Sequence, residues 1–125
     1  MPDFITGVDY VAIPTQDYEK AAAFYGETLG IPFRKPWGKM PAGEFQAGGV
    51  TLALMQMDAF GSEFRRNGAP LALHVDDVAA ARSELEAAGV EFVMDTIDSG
   101  VCHQAVFHDP DGNTLILHNR YAEGG

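Results

Sequence analysis

The sequence predicts an α+β fold made of two βαβββ modules related by a pseudo-twofold axis, and three observations predict it. Tyr10-Val-Ala-Ile-Pro-Thr-Gln-Asp17 leads into Ala21, Phe24, Tyr25 and Leu29 at helical spacing and then into Gly30-Ile31. Pro70-Leu-Ala-Leu-His-Val-Asp-Asp77 leads in the same way into Val78, Ala81, Leu85 and Ala88 and then into Gly89-Val90. The two runs stand roughly 60 residues apart, the mark of a supersecondary unit repeated once. Gly49-Val-Thr-Leu-Ala-Leu54 is answered by Gly112-Asn-Thr-Leu-Ile-Leu117, so both copies end on a strand of one pattern.

The elements follow in order. Alternating or continuous apolar runs bounded by Gly and Pro place strands at 8–13, 31–35, 43–47 and 50–56, and again at 71–75, 90–94, 101–108 and 113–118. Asp17 and Asp77 stand where a side-chain oxygen caps the first amides of helices running to about 28 and 88, and Gly30 and Gly89 stop them. Residues 5–57 form the first module and 70–121 the second, within one domain spanning 1–125. The connector is 58–69, with Gly61, Arg65, Arg66, Asn67 and Gly68. A Pro/Gly-rich loop at 35–43 interrupts the first module. Asp109-Pro-Asp-Gly-Asn113 joins strands 101–108 and 113–118 as a hairpin, with Pro fixing φ early in the turn and Gly free to take positive φ near its end.

With 125 residues and 46% hydrophobic content the chain buries a core without staples, and its one cysteine, Cys102, excludes an internal disulfide. Eight Lys and Arg against 18 Asp and Glu give a formal net charge of −10, which repels nucleic acid and anionic membrane and gathers cations. The start Met1-Pro-Asp-Phe lacks a basic segment followed by an apolar run, and no stretch reaches membrane-span length. A cytoplasmic protein is the expectation. There is no phosphate loop, dinucleotide-binding glycine fingerprint or Cys-x-x-Cys pair, so no cofactor is expected from motifs.

The run Asp9-Tyr-Val-Ala-Ile, the helix ending Phe24-Tyr25…Leu29-Gly30, the segment Val75-Asp-Asp-Val78…Ala88-Gly89-Val90 and the Asp109–Asn113 hairpin together resemble the vicinal oxygen chelate superfamily. That superfamily contains glyoxalase I, fosfomycin-resistance enzymes, extradiol dioxygenases and bleomycin-binding resistance proteins. The resemblance covers essentially the whole chain and implies curved mixed sheets around a shared cavity, in a homodimer or arm-exchanged dimer. It also implies metal ligands on the first and last strand of each module, which fall on Tyr10, Ala53, Pro70 and Ile116. Ala, Pro and Ile offer no side-chain donor and neutral Tyr is a poor one, so the usual metal site is expected to be lost.

If those positions face the cavity, strand alternation turns Val11, Ile13, Leu52, Leu54, Leu71, Leu73, Val75, Ala105, Phe107, Leu115 and Leu117 toward the helices. The cavity face then carries Tyr10, Ala12, Thr51, Ala53, Met55, Ala72, His74, Gln104, Val106, His108, Thr114, Ile116 and His118, to which loop residue Trp37 adds a flat surface. Small side chains leave volume and a few polar groups give handles, as in small-molecule sites. His74, His108 and His118 read either as a relocated metal or general acid/base set, or as three separate strand-end histidines, the reading preferred here. Cys102 and His103 alternate to opposite sides of a strand, against a thiolate–imidazole pair. Trp37 with Met40, and Phe60 with Phe64, either clamp a flat ligand or bury themselves in a dimer partner, while Arg120 and Tyr121 fall at a cavity mouth, an interface or a solvated tail.

The expected function is binding and sequestration of a flat or aromatic, antibiotic-like small molecule by a metal-independent homodimer. The alternative is an enzyme of lyase, isomerase or dioxygenase type using a relocated metal or a histidine base.

Overall fold

The computed structural model describes residues 4–123; Met1, Pro2 and Asp3, on which the reading of the chain start rests, lie outside it. The chain runs β1 (Val11–Thr15), α1 (Tyr18–Ala23) with a π-helical continuation (Phe24–Thr28), β2 (Phe33–Pro36), β3 (Ala42–Ala47) and β4 (Val50–Gln56). A 3-10 turn (Met57–Phe60) leads out of β4; then come β5 (Leu71–His74), α2 (Val78–Ala87), β6 (Ile97–Asp98), β7 (Cys102–His108) and β8 (Thr114–Arg120). Two four-stranded sheets result, ordered β1-β4-β3-β2 and β5-β8-β7-β6. β1 runs parallel to β4 with Val11 opposite Leu52, and β5 parallel to β8 with Leu71 opposite Leu115, so the two strands that open the modules hold equivalent places.

Both helix starts are capped as their sequence requires. Asp17 accepts the Lys20 amide at 3.2 Å and Asp77 the Ala80 amide at 3.0 Å. Gly30 and Gly89 follow the helices at φ of 71° and 96°, a left-handed turn that a side chain would strain. Asp77→Ala removes the cap of α2 and is expected to cost about 1 kcal/mol, read as a lower urea midpoint at unchanged slope.

Three expectations need correction. Residues 90–94 are not a strand: Phe92 makes a single bridge to Phe107, and the second sheet's edge is the short β6. The reason is Arg82, whose guanidinium lies 4.6 Å over the Phe92 ring and donates to the Met94 carbonyl at 2.9 Å and to Thr96 Oγ1 at 3.1 Å. That ties the segment to α2 as well as to β7, where the Val93 amide reaches the Val106 carbonyl at 2.8 Å. The first strand begins at Val11 rather than residue 8, leaving Phe4, Ile5 and Val8 about four-fifths exposed and Val11 itself partly exposed. The first helix widens after Ala23, where the Leu29 amide bonds the Phe24 carbonyl at 2.9 Å, five residues back.

One core joins the modules. Ile13, Phe45, Leu52 and Leu54 of the first sheet, Ala105, Phe107, Leu115 and Leu117 of the second, and Ala21, Tyr25, Val78 and Leu85 of the helices form a single buried cluster. Phe24 lies 6.5 Å from Phe107 of the other module, while Gly26 sits so close to Phe45 that an added Cβ would come within 3.2 Å of its ring. The helical layer therefore lies between the two sheets, and the opposite sheet faces point outward.

A buried polar cluster pins the modules together. Asp109, 5% exposed, accepts the Tyr25 hydroxyl at 2.7 Å, the Asn113 side-chain amide at 2.8 Å, and the Asp111 and Asn113 backbone amides at 2.9 Å each. Asn113 also donates to the Pro14 carbonyl at 2.9 Å and accepts the Asn67 amide at 2.8 Å, and Thr15 donates to Asp111. Burial, and then the adjacent Asp109 charge, push the Tyr25 phenol far above its usual range, so it stays a donor.

Candidate ligand-binding faces

On the outward face of the first sheet, the registers set Ala12, Ala53 and Glu44 side by side on β1, β4 and β3, with Pro14, Met55 and Ala42 in the next row. Ala53 and Ala42 are fully buried and Glu44 is 8% exposed. What covers them is the loop between β2 and β3. Trp37 bonds the Ala42 carbonyl through its amide at 3.0 Å and accepts the Met40 amide at 3.1 Å, a turn that Gly38 permits at φ 60°. Its indole N–H reaches Glu44 Oε2 at 2.8 Å, and Arg34 on β2 pairs with Oε1. The indole bond, with Arg34 and Lys35, outweighs desolvation and holds the Glu44 carboxyl below its usual range. Tyr10 meets Trp37 edge-on at 5.3 Å and Phe60 meets it at 6.3 Å. The result is a three-ring aromatic wall over a neutralised carboxylate.

Of the residues assigned to this face from the sequence, Tyr10 and Trp37 are in contact, and Ala12 and Ala53 are neighbours. Met55 lies half-buried in the next row, and Thr51 donates to Gln46 at 2.7 Å. Glu44 and Arg34 were not anticipated. The available signal was the lone acid of β3, on the side opposite Phe45.

The second sheet's outward face has three rows. Thr114 pairs with His108; Ile116 lies between Ala72 and Val106; His118 lies between His74 and Gln104. His74 and His118 are thus neighbours, whereas His108 stands at the other end of β8's pairing. His74 Nε2 lies 3.1 Å from Asp76 Oδ1. Among the described residues no three His, Cys, Asp or Glu side chains converge as a metal cage. Cys102 is buried, and His103 packs against Tyr121 with ring centroids 4.6 Å apart. The Tyr121 hydroxyl donates to Asp98 at 2.6 Å, and this bond, with those from Gly100 and His103, holds the Asp98 carboxyl low. Tyr121 is therefore tied to the end of the second sheet.

The two outward faces do not meet within one chain. The main cavity, about 1110 Å³, opens instead between the modules on their inner sides, where Leu52, Leu71, Leu73, Leu85 and Leu117 line it. Ala72 and His74 on the edge strand β5 are the only residues of the expected ligand-binding set that border it. No helix among the described residues is long and apolar enough to cross a membrane.

The family model described as Glyoxalase/Bleomycin resistance protein/Dioxygenase superfamily matches residues 7–117. A glyoxylase-like domain-containing protein of Didymella fabae is 32% identical over 122 residues, covering 93% of each chain. A solved member of that superfamily from Sphaerobacter thermophilus superposes with a TM-score of 0.77 at 26% identity, covering 91% of this chain and 97% of its own. The lactoylglutathione lyase of Agrobacterium tumefaciens superposes at 0.76 over 98% of this chain and 100% of its own, but at 16% identity it shows shared fold alone.

Proposed function

Because this chain belongs to the glyoxalase/bleomycin resistance protein/dioxygenase superfamily, we propose that it binds a small, flat or partly aromatic molecule without the superfamily's usual metal, sequestering it rather than transforming it. The observation that carries this reading is the row Ala12–Ala53–Glu44. Ala53 is a position at which the resemblance puts a metal ligand, and it has no donor atom. The neighbouring Glu44 is already engaged by an indole N–H and a guanidinium. The donors at Tyr10, Ala53, Pro70 and Ile116 do not suit a divalent cation. Around that row Tyr10 and Phe60, both more than a third exposed, and Trp37 offer ring faces and edges for stacking. A net charge of −10 favours encounter with cationic ligands over anions.

A homodimer belongs to the same reading. β1 and β5 each have one unpaired edge, and the apolar arm bearing Phe4, Ile5 and Val8 is exposed. A second reading, an enzyme of lyase, isomerase or dioxygenase type, is favoured by the pairing of His74 with His118, which supplies a base or ligand pair away from the usual position.

The test is calorimetric titration with planar cationic and neutral aromatic compounds beside anionic thiol adducts, at low and high salt. Aromatic compounds are expected to bind. Met55→Glu, which places a charge on the wall beside Ala42, is expected to weaken them on the order of 10- to 100-fold. Binding or turnover of the thiol adducts, with no aromatic compound bound, would overturn the sequestration reading in favour of the enzyme.

A further inference from the structure

β5, β8 and β7 lie side by side, and their registers put His74 opposite His118 and His118 opposite Gln104. Residues so paired send their side chains to one face. The other face is accounted for by Leu117 and Ala105 in the core and by Leu71 and Val75 packed against it. Two imidazoles therefore share the outward face on adjacent strands with a carboxamide beside them. The His74 side chain is 69% exposed, and its Nε2 lies 3.1 Å from Asp76 Oδ1. In the tautomer with the ring proton on Nε2, that carboxylate accepts it and Nδ1 is the nitrogen left to ligate, the arrangement in which a metal-ligating histidine is held by a second residue.

We propose that His74 and His118, flanked by Gln104, bind one divalent late transition-metal ion of the nickel, copper or zinc class. Imidazole nitrogen is a preferred donor for these ions, and two protein ligands leave coordination positions open to water or an exogenous oxygen. The pair lies one row along β8 from Ile116, the apolar position where the family resemblance would put a ligand, so this site is separate from it. The acidic chain raises the local concentration of cations near it. His108, paired with Thr114 at the far end of β7, takes no part.

The inference goes beyond the binding of an organic molecule by the first module, and copper titration of the full chain tests it separately. One equivalent of Cu²⁺ is expected to give an electron paramagnetic resonance spectrum with coupling to two imidazoles. His74→Ala and His118→Ala should each reduce that coupling to one imidazole at most and weaken binding at least about 10-fold; Asp76→Asn should weaken it about 10-fold while keeping both imidazoles. His103→Ala and His108→Ala should leave the signal unchanged. Melting curves report whether each variant folds, and His118→Gln replaces His118→Ala if the latter does not. A two-imidazole signal that survives both His74→Ala and a folded His118 variant, or that never forms in the unmutated chain, overturns the site. Calorimetry with aromatic compounds reports on the first module whichever way copper behaves.

Discussion

Asp109→Ala is expected to destabilise the chain by about 3–5 kcal/mol and lower its melting temperature on the order of 15 °C. The size follows from what is stranded. The Tyr25 hydroxyl and the Asp111 and Asn113 backbone amides lose their acceptor, and the Asn113 side-chain amide loses one of two, keeping the Pro14 carbonyl; all but the Asp111 amide are buried. Each buried donor left without a partner costs its desolvation, about 1–3 kcal/mol. Tyr25→Phe removes one donor and its bond together, so it should cost only about 1–2 kcal/mol. The ordering of the two variants in thermal melts is the check. Equal effects would mean that the cluster does not act through stranded donors.

Phe107→Ala is expected to cost about 3–5 kcal/mol, since it deletes a fully buried ring at the centre of the shared core. Phe92 lies 5.1 Å from that ring and Phe24 6.5 Å, from opposite modules, so the hole opens toward both. Urea denaturation should show a lower midpoint with one cooperative transition. A double-mutant cycle with Phe24→Ala should return a coupling of about 0.5–1.5 kcal/mol between the modules. A coupling near zero would mean that the two halves are stabilised independently.

The legible part of the fold was whatever repeats or punctuates. Asp17, Asp77, Gly30 and Gly89 bracket their helices because capping is chemistry between near neighbours. The apolar parity of β4, β7 and β8 is seen directly in the burial of Leu52, Leu54, Ala105, Phe107, Leu115 and Leu117. What failed depended on distant partners. Val90 to Met94 reads as a strand by composition, yet Arg82 on α2 holds it by its Phe92 ring and two hydrogen bonds. The π-helical turn at Phe24–Thr28 has the same apolar spacing as an α-helix.

For the outward faces, parity separated them from the core sides of the strands but did not tell what covers them. Trp37 lies in a loop whose path no periodicity fixes, and Glu44 joins the cluster only because that loop folds back over β3. The alignment of His74 with His118, and the separation of His108, is a matter of register. Register follows from parallel pairing of strands far apart in sequence.

The helical layer between the sheets has a consequence for dosage. A molecule that touches the aromatic wall of one module and the histidine row of the other at the same moment must draw those surfaces from two different chains. Its retention then rises with the number of chains in the cell rather than with the quality of either surface alone. On the proposed reading, dilution would release a molecule bound in this way and overproduction would tighten the hold, with no residue altered.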